Sequence, residues 1–120
     1  MQKIIWLVLE FLWNMKLKNN RIRYLNMDIV VLDLADCKYI GEVHQRIKET
    51  FDFPDYYGEN WHAFKDAFIT VGVPDKIDIK GVTSIPSRLK GEIDKMMDAL
   101  ESMKQELLSF GLDFDFELID

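Results

Sequence analysis

The sequence predicts an α/β fold, a small three-stranded parallel sheet with helices in the order β-α-α-β-(α)-α-β. Three observations carry this. "DIVVLDL" (Asp28 to Leu34) is short, apolar and β-branched, as a largely buried strand should be. "DFDFELI" near the C-terminus alternates in period two, and "KIDI" (Lys76 to Ile79) reads as a third short strand. Helical patterns fill both intervals between these strands, so the strands pair in parallel through crossovers, which should be right-handed.

The elements follow in order. Ile40, Val43, Ile47 and Phe51 repeat at helical spacing, which leaves Glu42, His44, Arg46 and Lys48 mainly for the outer side. Pro54 ends that helix. Asn60 is a good N-cap for a second helix from Trp61 to about Ile69, closed by Gly72 and Pro74. "SIPSRLKGEIDK" suggests a short helix or irregular lead into a longer one, whose stripe is Met96, Leu100, Met103 and Leu107. Gly111 is its natural stop. In the last strand Phe114, Phe116 and Leu118 point one way and Asp113, Asp115 and Glu117 the other, so at least one face is partly wet.

With 120 residues there is room for one domain with a modest core. The first 26 residues do not match the rest. "IIWLVLEFLW" (Ile4 to Trp13) is about half the length a membrane-spanning helix needs and contains Glu10. It lacks the small-residue cleavage site of a signal peptide. Residues 1–26 are therefore an N-terminal extension with three readings: an over-long start ahead of Met27, an amphipathic surface anchor, or a helix packed on the domain. Residues 27–120 form the domain proper.

The net charge of −6 hides an asymmetry. Residues 1–26 carry five basic side chains against Glu10, a net of +4, which leaves −10 for residues 27–120. Such an acidic domain repels phosphate backbones, so direct nucleic-acid binding is disfavoured. It attracts basic proteins and speeds their encounter, unless the charge only keeps the protein soluble. Cys37 has no cysteine to pair with in the chain, which fits a reducing compartment, and it reads as a small packed hydrophobe rather than a reactive thiol. No metal-spaced Cys/His cluster is visible, and nothing in the sequence calls for a cofactor.

"DYYGENWHAF" (Asp55 to Phe64) places four aromatic residues around a Gly-Glu-Asn turn. On a helical projection Trp61, Phe64, Ala67 and Phe68 share one arc, the core side. His62, Asp66 and Ile69 share another, with Lys65 at the boundary. Tyr57 packs against the core cluster, whereas Tyr56, two residues before Gly58, is either an outward contact residue or a loop anchor. His62 and Asp66 are four residues apart on one face and are able to pair. Such a pair would partly neutralise Asp66 when His62 is protonated and weaken partner binding at low pH. A dissociation constant unchanged between roughly pH 5.5 and 8 would rule this out.

"PDYYGENWHAFKDAF", Pro54 to Phe68, closely resembles the signature of the barstar family, small intracellular inhibitors of secreted ribonucleases of the barnase type. The resemblance covers about residues 27–120. It implies that the loop and second helix (residues 55–69) plug the enzyme's active site. Tyr56, Tyr57, Gly58 and Asn60 match the family motif directly, and Asp66 aligns with the aspartate that sits where a substrate phosphate would go. Glu106, five residues before Gly111, matches in spacing a glutamate on the last helix that also touches the enzyme. Two positions depart: His62 stands where an aspartate is usual and Lys65 where a tryptophan is seen. The resemblance implies a partner-binding set of Tyr56, Tyr57, Gly58, Asn60, His62, Lys65, Asp66 and Glu106. The partner would be a basic secreted ribonuclease or related toxin, met by a monomer in the cytoplasm.

Two other classes compete. An enzyme would have to use His62 with Asp66 as base and orienter, or His44, and no nucleophile elbow, phosphate-binding Gly loop or zinc spacing supports that. An interaction or immunity module of the same fold with a non-ribonuclease partner is the alternative that His62 and Lys65 raise.

Overall fold

The computed structural model describes residues 28–119. The N-terminal extension, residues 1–26, lies outside the described residues. The elements are β1 (Ile29–Asp33), α1 (Ile40–Phe51), α2 (Trp61–Val71), β2 (Lys76–Lys80), α3 (Lys90–Ser109) and β3 (Asp115–Leu118). The irregular lead into α3 is two 3₁₀ turns, Val82–Ser84 and Ser87–Leu89. The strands form one parallel sheet in the order β1-β2-β3, with Val30 opposite Ile77 and Ile77 opposite Phe116. The predicted α/β class and parallel three-stranded sheet are what the chain adopts.

Period-two alternation sorts the sheet into an inner and an outer face. Leu32, Leu34, Ile77 and Ile79 are fully buried on the inner face and share one core with Val43, Ile47, Phe64, Phe68, Met96 and Leu100 from the helices. On the outer face Ile29 and Val31 stay about half exposed. There Lys76 pairs with Glu117 at 2.7 Å and Lys80 with Asp33 at 3.8 Å. The alternation predicted for the last strand holds but fades along it: Phe114 is buried, Phe116 partly so, and Leu118 is exposed as β3 runs past the helices.

The helix boundaries follow from local chemistry. α1 ends at Phe51, where Asp52 adopts a left-handed conformation (φ 55°) and the Phe53 N–H returns to the Lys48 carbonyl at 3.0 Å. α3 stops as expected near Gly111 (φ 76°), and the Leu112 N–H closes on the Leu107 carbonyl at 2.9 Å. Between α1 and α2, Phe53 meets Phe68 edge-on at 5.0 Å and Tyr57 at 5.1 Å. Phe51 reaches Phe68 at 4.9 Å. These contacts anchor the loop to the core through aromatic packing rather than regular structure. Cys37 is fully buried, and burial pushes its thiol above the ordinary range, as suits a packed hydrophobe and not a nucleophile.

Candidate partner-binding site

The loop of residues 55–60 and the outward side of α2 are set by three local devices. The Tyr57 N–H closes a turn on the Pro54 carbonyl at 2.9 Å. Asn60, extended at φ −142°, accepts the Ala63 N–H at 2.8 Å through its side-chain oxygen and donates to the Gly58 carbonyl at 3.2 Å. This is the predicted N-cap, a feature worth about 1 kcal/mol. At Gly58 the chain passes close by, since a Cβ there would lie 3.3 Å from both the Ala63 Cβ and the Asn60 Nδ2, and those side chains would have to give by a few tenths of an ångström. Between them Glu59 sits in the left-handed region at φ 52°, a local strain held by the flanking contacts.

Beneath the loop lies a polar link that the sequence reading misplaced. His44, expected on the outer side of α1, is 3 % exposed. It lies within the apolar arc, four residues after Ile40 and three before Ile47, so the helix carries it inward. Its Nδ1 is 2.6 Å from the Tyr57 hydroxyl, and its ring packs 4.5 Å from that of Trp61. The Trp61 indole N–H in turn donates to Glu92 Oε2 on α3 at 2.8 Å. One chain of contacts thus ties the loop to all three helices. Trp61, predicted as core, packs against the core while remaining only partly buried, because its N–H reaches this surface carboxylate.

Burial lowers the His44 pKa from its ordinary 6.5, against the opposing pull of Glu59 and Glu92. Burial likewise raises that of the Tyr57 hydroxyl, with Glu59 adding to the effect. Both groups are therefore neutral at pH 7. The unfolded chain takes up the His44 proton at higher pH than the folded one. The stability this contributes is complete above about pH 6.5 and is lost as pH falls from there towards the folded pKa. Urea titrations should show a decline of up to about 1.4 kcal/mol per pH unit over that limb. His44→Gln should flatten the limb, and an unchanged slope would contradict the assignment.

Above this support, Tyr56 is 80 % exposed, and Gly58, Asn60, His62, Asp66 and Glu106 are also at the surface. His62 Nε2 lies 3.8 Å from Asp66 Oδ2, the proximity that their spacing predicts. Lys65 lies at the boundary as expected, partly buried, and its Nζ donates to Ser102 Oγ on α3 at 2.9 Å. Glu106 is one turn beyond Ser102 and therefore on the same side of α3. Tyr57 differs from the rest of the expected set. It is 8 % exposed and turned onto His44, beneath the exposed residues of the loop.

Of the supporting residues, His44 was expected on the outer side of α1, and Glu92 and Ser102 were not singled out from the sequence. The helical arc could have found His44, whereas Glu92 and Ser102 are 31 and 37 residues from their partners and no local pattern marks them. Among the described residues no group of His, Cys, Asp or Glu is placed to hold a metal ion. No helix among them is long and apolar enough to cross a membrane.

Comparison with known proteins bears on the domain as a whole. The family model described as "Barstar (barnase inhibitor)" matches residues 27–119. A Bacillus subtilis (strain 168) protein named "Putative ribonuclease inhibitor YrdF" is 28 % identical over 79 residues, which is 65 % of this chain and 87 % of that one. The family-model match spans the whole described domain, and that domain carries the parallel sheet, the capped second helix and the Tyr-Tyr-Gly-Glu-Asn loop in one arrangement. The chain belongs to the barstar family.

Proposed function

We propose that this chain inhibits a basic secreted ribonuclease of the barnase type by setting the loop of residues 55–60 and the outer side of α2 into its active site. The observation that carries the reading is the position of Asp66. Its carboxylate is 65 % exposed on a helix whose opposite side is fixed by Phe64 and Phe68 in the core. A ribonuclease must surround a phosphodiester with cationic side chains. A carboxylate held in that place engages the same cations through charge-assisted hydrogen bonds. Because α2 is capped, packed and tied to α3, little ordering remains to be done on binding. The net −10 of residues 27–120 steers a basic enzyme towards the face.

In this reading the protein is a binding module and not an enzyme. It needs no cofactor and acts as a monomer, and its place of action is the cytoplasm of the cell that makes the nuclease. Tyr56, Gly58 and Asn60 form one part of the contact, Lys65, Asp66 and His62 the centre, and Glu106 the α3 edge.

The test is titration of the full chain into a barnase-type ribonuclease cleaving RNA. Activity is expected to fall linearly to zero at equimolar inhibitor. Full activity in a large excess of the chain would remove the ribonuclease from the account and leave a barstar-family module for another protein.

A further inference from the structure

Lys65 is the one cation on the outward side of α2, and the structure holds it in place. Its stem is partly buried between α2 and α3, and its ammonium donates to the neutral Ser102 hydroxyl at 2.9 Å. Among the described residues Lys65 forms no ion pair, so none of their carboxylates neutralises its charge. Asp66 follows it directly in the chain, and Glu106 lies one turn from Ser102 on α3. Neither carboxylate is paired with Lys65, and the one ion partner of Asp66 among the described residues is His62. The face thus alternates acid, cation, acid across the seam between α2 and α3. A surface meant for an uninterrupted cluster of cations would gain nothing from a fixed ammonium at its centre. Like charges brought together there, away from water, would oppose binding.

We infer that Lys65 sets partner selectivity by pairing with a carboxylate that the partner places between the cations facing Asp66 and Glu106. The inference rests on the function proposed above and adds to it the charge pattern of the partner's site. A nuclease has such a group to hand when its general base is an aspartate or glutamate, since that base must lie beside the cations that hold the phosphodiester. Ser102 then acts as the positioning residue. It fixes the ammonium before contact, so the pair forms without the ordering cost of a free lysine side chain. Partners that place a cation opposite Lys65 are rejected by the same charge.

The probe is one purified barnase-type ribonuclease together with its single carboxylate-to-amide variants. Dissociation constants are measured for the full chain and for Lys65→Met, which keeps the stem and removes the charge. Lys65→Met should weaken binding to the unmodified enzyme about tenfold. It should have no effect on one particular carboxylate-to-amide variant, which identifies the facing group. Ser102→Ala should reproduce part of the loss against the unmodified enzyme and none against that variant. If Lys65→Met binds every enzyme form as tightly as the unmodified chain or more tightly, while Asp66→Ala still weakens binding about a hundredfold, the inference fails and the proposed function stands. If the unmodified chain binds none of the enzyme forms, both fall.

Discussion

Asp66→Ala is expected to weaken ribonuclease inhibition by about two orders of magnitude while leaving the unfolding midpoint in place. The two halves of this result have separate causes. The carboxylate is largely in water in the free protein, and among the described residues the side chain recorded as its ion-pair partner is the exposed His62 imidazole at 3.8 Å. Removing it therefore costs the free fold little. In the complex it would replace a phosphate among several cations away from solvent. A hydrogen bond to a charged group there is worth about 1.5–3 kcal/mol, and at about 1.4 kcal/mol per tenfold the upper end gives the factor stated. Glu106→Ala should cost less, because Glu106 lies at the edge of the face, where solvent screens the charge. Equal losses in the two variants would show that the centre of the contact has been misplaced.

Phe64→Ala should have the opposite signature, a loss of fold that takes the site with it. Phe64 is fully buried and touches Phe53, Trp61 and Phe68, with ring centroids at 6.2, 5.5 and 5.1 Å. Truncating a buried phenylalanine to alanine costs about 3–5 kcal/mol, because a cavity replaces those contacts. A domain this small has about 5–15 kcal/mol in total, so much of its stability goes with one side chain. Equilibrium unfolding in urea measures this directly. Any inhibition that remains should scale with the folded fraction, since Phe64 does not reach the surface.

These two residues also show how far the sequence could be read. Phe64 and Asp66 are two positions apart on one helix, about 200° around it, so periodicity alone assigns one to the core and the other to the outward side, while a partner role for Asp66 is what the family resemblance implies. Local rules were enough for the strands, for the Asn60 cap and for the stop near Gly111, because each depends on residues within one or two turns. The same arc, fully used, would have put His44 inside. Reading it as a polar residue rather than by position left it outside. Contacts made between distant segments were a different matter. The Trp61–Glu92 and Lys65–Ser102 bonds join α2 to α3 and depend on how two helices cross, which spacing within either helix does not encode. Tyr57 was half legible: its packing followed from the aromatic pattern, but its hydroxyl partner on α1 did not.

The central claim is that Asp66 occupies the phosphate site of a ribonuclease. It is tested most directly by competition between the full chain and a mononucleotide for a barnase-type enzyme. The apparent dissociation constant of the chain should rise in proportion to mononucleotide concentration, with no ternary complex at saturation. An apparent constant that stays flat while the nucleotide fills the active site would place the chain elsewhere on the enzyme and contradict the account.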